Sequence, residues 1–231
     1  MALPKIEHPI YELTLPSNKE VIHFKPFTVR EETILLMARA SEKTEDIISS
    51  IKQIVRNCVI EPIEIDRLAT FDIEYIFVKL RAKSVNEFVD LEFTDPDTEA
   101  KINFKVNLDD VAVKFNPEHT NRIQVFDNIY FQMKYPTLDD TKLLENGIDE
   151  NNILDILYAC VDKIYDNEEV YTDYSEEEFK DFIDNLPSDS LNDLITFFDT
   201  MPSLEHTVTL KNNKGDTKEI LLKGINSFFT F

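Results

Sequence analysis

Residues 70–93, TFDIEYIFVKLRAKSVNEFVDLEF, contain a change of hydrophobic period that decides the fold class. In the first part the apolar residues Ile73, Ile76 and Leu80 recur at helical spacing, which predicts a helix that ends near Ser84. From Phe88 onward apolar and polar residues alternate, which predicts a strand. The chain therefore combines amphipathic helices with strands.

The predicted strands form antiparallel hairpins. Alternation continues from Phe88 to Tyr135, and Asp127 with Asn128 is a typical two-residue hairpin turn. Further hairpins are predicted near the two ends, in residues 11–24 and 204–220. Because these hairpins are interspersed with amphipathic helices, the predicted fold class is α+β.

The predicted helices have two kinds of signal. Thr28 precedes Glu31, and Ser175 precedes Glu178, at the spacing of a capping box, which marks a helix start. Apolar stripes at helical spacing cover residues 47–58, 73–80, 153–164, 179–186 and 191–198.

Acidic charge is concentrated in one part of the chain. The whole chain has 24 basic and 45 acidic residues, a net charge of −21, but residues 139–205 alone contain 20 acidic and 3 basic residues. This asymmetry predicts two parts that join near Pro136. Residues 1–136 would form a mixed α+β body, and residues 137–231 an acidic, mainly helical subdomain closed by a C-terminal β-hairpin.

The composition argues against several classes of function. A strongly negative chain repels the phosphate backbone and anionic lipids, so we expect no nucleic-acid binding. The sequence has no uncharged stretch long enough to span a membrane. Only 3 glycines are present, which excludes glycine-rich phosphate-binding loops. Without a nucleophile elbow or a Cys–His pair in the sequence, we expect the protein not to be an enzyme.

No cofactor or metal site is predicted either, and no catalytic residue. Asp95 and Asp97 resemble the start of a calcium-binding loop, but Ala100 stands where such a loop requires glycine. Cys58 and Cys160 lie on apolar helical stripes, so both are expected to be buried, reduced and free of metal.

Two features are candidate protein-binding surfaces. The acidic run in the predicted helix that begins after Ser175 either meets a basic partner or forms a solvated face that confers solubility. The aromatic C-terminus either packs into the core of its own hairpin or inserts into a partner as an anchor. The candidate interface residues are Glu176, Glu177, Glu178, Phe228, Phe229 and Phe231.

Several stretches resemble a known family. FKPFTVREETILLMA (residues 24–38) and FDIEYIFVKLRAKSVNE (residues 71–87) are similar to the baseplate hub assembly proteins of T-even-type contractile-tailed phages. HPIYELTLPSNKEVIHFKPF (residues 8–27) and MPSLEHTVTLKNNKGDTKEILLKGINSFF (residues 201–229) resemble the ends of the same family. These motifs are structural, so the resemblance transfers no active-site residue.

The resemblance implies a non-enzymatic tail assembly protein that works in the host cell cytoplasm. Such a protein would bind phage baseplate hub proteins and promote hub assembly in the manner of a chaperone. Two alternatives stay open: a permanent structural component of the hub in the virion tail baseplate, and an acidic inhibitor that mimics DNA. The sequence leaves open which hub subunit is bound and what the oligomeric state is.

Overall fold

Eleven strands and seven α-helices form the part of the chain that this computed structural model describes, residues 4–41, 43–144, 147–149, 151–211 and 215–229. The mixture of helices with small antiparallel sheets confirms the predicted α+β fold class. The chain divides into two units, residues 1–114 with 203–231 and residues 115–202.

The first unit contains both ends of the chain. Its elements are β1 (Tyr11–Thr14), β2 (Val21–Phe24), α1 (Val29–Ser41), α2 (Thr44–Cys58), α3 (Thr70–Ser84), β3 (Phe88–Thr94), β4 (Lys101–Asn107), β5 (Ala112–Lys114), β10 (Ser203–Lys211) and β11 (Thr217–Lys223). The strands pair as β1-β2, as β3-β4 and as β11-β10-β5. Both predicted terminal hairpins are present among them.

The second unit is a four-stranded sheet with helices. Its elements are β6 (Arg122–Phe126), β7 (Ile129–Met133), α4 (Thr141–Leu144), α5 (Ile153–Cys160), β8 (Val161–Tyr165), β9 (Val170–Tyr171), α6 (Glu176–Asp184) and α7 (Ser188–Thr200). The strand order in the sheet is β6-β7-β8-β9. Phe126 pairs with Ile129 across the predicted two-residue turn, and Asp127 has a φ of +39° there.

The division differs from the boundary predicted near Pro136. Leu204 in β10 pairs with Val113 in β5, so the C-terminal hairpin belongs to the first unit and not to the acidic part. This pairing joins segments far apart in the sequence, which alternation of side chains alone does not reveal. The acidity stays with the second unit, where residues 115–202 include 21 acidic and 5 basic residues.

Helix α3 lies at the centre of the first unit. Its side chains Ile73, Ile76, Phe77, Val78 and Leu80 are all fully buried. Such burial around the whole circumference is typical of a core helix, whereas a surface helix buries one stripe. One cluster of the core comprises Val78, Ala82, Val106, Leu108, Val111, Leu204 and Phe228.

Lys79 places a charged group inside this core. Its Nζ donates hydrogen bonds to the backbone carbonyls of Leu108 (3.0 Å), Asp109 (2.7 Å) and Val111 (2.9 Å). Burial lowers the pKa of Lys79, and the three carbonyls compensate for the water that the ammonium has lost. The lysine thereby fixes the turn between β4 and β5 against α3.

In the second unit, one predicted helix is shorter than expected. The apolar stripe predicted for residues 153–164 is helical only to Cys160, and Val161 begins strand β8. Gln132 pairs with Lys163 while Met133 pairs with Val161, so Asp162 is an extra residue in a bulge. The bulge lets Val161 and Ile164, three positions apart, both face the core, and this spacing imitates a helix.

Two local predictions agree with the structure. Ser175 and Glu178 form the predicted capping box at the start of α6. Cys58 and Cys160 are free thiols buried in the cores of their units, and burial raises the pKa of each to about 12. Their predicted burial is confirmed.

The role of Lys79 is tested by replacement with methionine, which has similar length but no donor. Lys79→Met removes the donor from three carbonyls, those of Leu108 and Val111 in buried hydrogen bonds and that of Asp109 in a partly buried one, so we expect a loss of about 2–4 kcal/mol in the free energy of unfolding. Lys83→Met is the control, because its pair with Asp109 is half-exposed and contributes under about 1 kcal/mol. Equal urea midpoints for the two variants would contradict this role.

Glu74 should give the first unit a pH-dependent stability. Its Oε1 accepts a hydrogen bond from the Ile225 N–H at 3.0 Å, and burial raises its pKa from 4.5 to about 7. Between these values the folded state binds more protons than the unfolded state, so the free energy of unfolding falls as pH rises. The loss is on the order of 2 kcal/mol between about pH 5 and pH 8.

Glu74→Gln keeps an oxygen acceptor for Ile225 and should remove this part of the pH dependence. Urea denaturation at several pH values measures the slope. The exposed Glu219→Gln is the matched control and should keep the wild-type slope. A Glu74→Gln slope identical to that of the wild type would show that Glu74 is not responsible.

Candidate functional site

The acidic run Glu176–Glu178 forms the first turn of α6, directly after the N-cap Ser175. Carboxylates are favourable at this end of a helix because the unpaired N–H groups carry partial positive charge. The position of the run therefore has a local structural cause, in addition to any role in binding.

Two of the three carboxylates are held by neighbours. Glu176 Oε1 accepts a hydrogen bond from Lys180 Nζ at 2.6 Å. Glu178 Oε2 accepts from both the N–H and the Oγ of Ser175, each at 2.8 Å, and these bonds lower the pKa of Glu178. Glu178 is thus ionised and fixed in position at neutral pH.

The terminal phenylalanines belong to the first unit, whereas the acidic run belongs to the second. Phe228 is 0% exposed and packs in the cluster around α3. This agrees with the alternative that the aromatic C-terminus packs into the protein's own core, and not with insertion into a partner. Phe229 lies edge-to-face on Phe77, with ring centroids 5.5 Å apart. Phe231 lies outside the described residues. The buried position of Phe228 removes it from the accessible surface.

An apolar cleft lies beside the acidic run, between α6 and the sheet of the second unit. It encloses about 240 Å³. Strands β7, β8 and β9 form one wall, and α6 with the segment before it forms the other. The cleft is lined by Ile129, Ile164, Asp166, Tyr171, Tyr174, Glu178, Phe179 and Phe182.

Two carboxylates stand among these apolar residues. Asp166 Oδ1 accepts hydrogen bonds from the N–H groups of Glu168 (2.8 Å) and Glu169 (2.9 Å). Hydrogen bonds from the Glu169 and Glu168 backbone lower the pKa of Asp166, as those from Ser175 do for Glu178. The cleft therefore has two fixed negative charges next to an apolar interior.

Strand β9 borders the cleft and is at an edge of the sheet. Val170 is 62% exposed and Tyr171 43% exposed. Within the described residues no strand pairs with the outer side of β9. Tyr171 lines the cleft, so its exposed ring extends the apolar surface of the cleft to the open edge.

The acidic run can be recognised in the sequence, but the cleft cannot. The cleft depends on β8 and β9, and the helical spacing of residues 153–164 hid the first of these strands. A signal for the hairpin was present: the two β-forming residues Val170 and Tyr171 follow Asp166, whose side chain caps the turn. This pattern is typical of a tight turn between two strands.

A second exposed apolar surface lies on α1 in the first unit. Val29, Leu36 and Met37 are all exposed, and their spacing of seven and eight residues places them on one helix face. We call this surface the α1 strip.

The two carboxylates that resemble the start of a calcium-binding loop, Asp95 and Asp97, both pair with a lysine. Lys218 Nζ lies 2.5 Å from Asp95 Oδ1 and 2.5 Å from Asp97 Oδ2. The hydrogen bond from Lys218 lowers the pKa of Asp95 to about 2. Across the described ranges, no group of three or more His, Cys, Asp or Glu side chains is placed to hold a metal ion.

Comparison with known protein families gives a match. A family model described as T4 bacteriophage base plate protein matches residues 8–230. Searches of curated proteins and of solved structures found no match. In the described part of the chain, no helix has the length and apolar character needed to cross a membrane.

We expect that the acidic run can be neutralised without loss of the fold. Glutamine is accepted at the third position of a capping box, so Glu176→Gln, Glu177→Gln and Glu178→Gln together keep the Ser175 cap. We expect the triple variant to lower Tm by no more than about 4 °C, through lost charge–dipole and ion-pair contributions. Circular dichroism during heating measures this, and a fall above about 10 °C would assign the run mainly to stability.

Proposed function

The chain belongs to the family of T4 bacteriophage base plate proteins, and from this membership we propose that it is a non-enzymatic protein that binds baseplate hub subunits and promotes hub assembly like a chaperone. The observation that carries the proposal is the match over residues 8–230, which includes most of both units. The family connects the chain with the phage baseplate, and the work would take place in the host cell cytoplasm during assembly.

The charge of the second unit supports a binding role. Residues 115–202 include 21 acidic and 5 basic residues, so this unit attracts basic surfaces over long range. Such steering raises association rates and disfavours acidic partners. A basic surface on a hub subunit could be covered by this unit until its permanent neighbour displaces it.

Exposed apolar surface supports the same role. The α1 strip in the first unit and the cleft in the second leave apolar side chains in contact with solvent. Such exposure is unfavourable in water and is typical of surfaces that bind other proteins. Binding and release of subunits require surfaces of this kind and no catalytic group.

A second candidate is a permanent structural component of the hub. The family description, base plate protein, favours it, because these words name the assembled structure. In this case the chain would stay in the tail baseplate of the virion.

Mass spectrometry of two samples separates the candidates. We expect the chain to co-purify with hub subunits from the cytoplasm of infected cells and to be absent from purified virions. A tail protein common to both samples is the control. Stoichiometric amounts in virions would overturn the chaperone proposal in favour of the component.

A salt series on the cytoplasmic complex adds a physical test. If the acidic second unit drives association, complex formation with purified hub subunits should slow as ionic strength rises above about 0.15 M, where the Debye length is about 8 Å. The triple glutamine variant should associate more slowly at low salt and show a flatter salt dependence. Wild-type kinetics in that variant would show that the acidic run does not steer the partner.

A further inference from the structure

We propose that the cleft between α6 and β9 binds a basic, extended segment of another baseplate protein, and that one large apolar side chain of this segment fills it. That the partner is a baseplate protein rests on the proposed function. The chemistry of the segment follows from the cleft itself.

The size and lining of the cleft suit one side chain. Its volume of about 240 Å³ is below the roughly 300 Å³ at which pockets for drug-sized ligands begin. Six of its eight lining residues are apolar or aromatic: Ile129, Ile164, Tyr171, Tyr174, Phe179 and Phe182. A phenylalanine, leucine or methionine side chain would lose water on entering and gain contacts on several sides.

The aromatic wall is rigid before a partner arrives. Phe179 is buried in the core and stacks on Tyr174 with ring centroids 5.7 Å apart. Phe182 stacks on Phe131 with centroids 6.1 Å apart. Because these rings are already ordered by core packing, binding costs little conformational entropy on this side.

The charge of the cleft selects a basic segment. Asp166 and Glu178 are fixed by backbone hydrogen bonds, and the exposed Glu168 and Glu169 lie in the same turn as Asp166. No ion pair joins Asp166 or Glu178 to a basic side chain within the described residues. Lysine or arginine residues beside the apolar anchor would meet both carboxylates, whereas an acidic segment would be repelled.

The open edge of the sheet favours an extended segment. β9 is the last strand of its sheet, and its Val170 and Tyr171 are exposed. Sheet edges bind extended chains through backbone hydrogen bonds while alternate side chains enter pockets. An extended segment along β9 would place every second side chain toward the cleft.

Synthetic peptides test the chemistry without any phage partner. The probes are a lysine-rich heptapeptide with a central phenylalanine, the same peptide with a central serine, and a glutamate-rich heptapeptide with the phenylalanine. In amide NMR spectra of the full chain we expect the first peptide to shift residues 164–182 and the neighbourhood of Ile129, with at least about tenfold weaker binding of the other two. Equal effects of the phenylalanine and serine peptides, or shifts outside this region, would overturn the proposal.

Matched variants test the two parts of the cleft. Asp166→Asn with Glu178→Gln keeps the hydrogen-bond acceptors and removes both charges, which should weaken the first peptide about fivefold at low salt. Glu168→Gln with Glu177→Gln removes the same charge outside the cleft and should have a smaller effect. Tyr171→Ala opens the wall and should weaken binding about tenfold, whereas Val170→Ala on the same strand should not. Equal losses of peptide affinity in the two double variants, or in Tyr171→Ala and Val170→Ala, would contradict the assignment of the binding site to the cleft.

Purified hub subunits separate this inference from the proposed function. If the wild type binds a hub subunit and Tyr171→Ala binds it about tenfold more weakly, both are supported. If both bind equally, the cleft is not the site and the proposed function stands. If the wild type binds no hub subunit, the proposed partner is wrong, and the peptide experiments alone decide the chemistry of the cleft.

Discussion

The burial of the Lys79 ammonium is the constraint on which the first unit depends. A charge this deep is tolerated only with full hydrogen bonding, and its three acceptors are carbonyls of residues 108–111. The turn that supplies them leads directly into β5, which pairs with β10. The lysine on α3 therefore fixes the strand that receives the C-terminal hairpin. Glu74, five residues earlier on α3, then holds the segment after that hairpin through the Ile225 N–H.

Features that depend on neighbouring residues could be predicted from the sequence. The capping box of Ser175 and the turn at Asp127 are formed by residues within a few positions, so their types suffice to identify them. The pairing of β5 with β10 could not be predicted, because alternation marks a strand without naming its partner. The boundary near Pro136 followed from charge, which reports the composition of a surface and not the path of the chain.

The candidate site shows the same limit. The acidic run is a matter of composition and was found, and the capping box predicted the partner of Glu178, but the Lys180 partner of Glu176 was not predicted. The cleft required β8, whose residues Val161 and Ile164 have helical spacing because of the bulge at Asp162. The resemblance to the family predicted a connection with the phage baseplate. Similarity over the whole chain does not depend on assigning each helix and strand correctly. The narrower role in hub assembly cannot be predicted in this way, because it depends on which protein the chain binds.

The high net charge of the second unit should lower its stability, because its 21 acidic residues outnumber its 5 basic residues and the excess carboxylates repel one another in the folded state. The structure reduces this cost by placing carboxylates where backbone N–H groups are unpaired. Asp149, Asp166 and Glu178 each accept such bonds at a turn or a helix start, and these bonds lower their pKa values. The same placement keeps them ionised and in fixed positions on the surface. A unit built in this way can carry a strong field toward a basic partner while its aromatic core provides the stability, so charge and core can be altered independently.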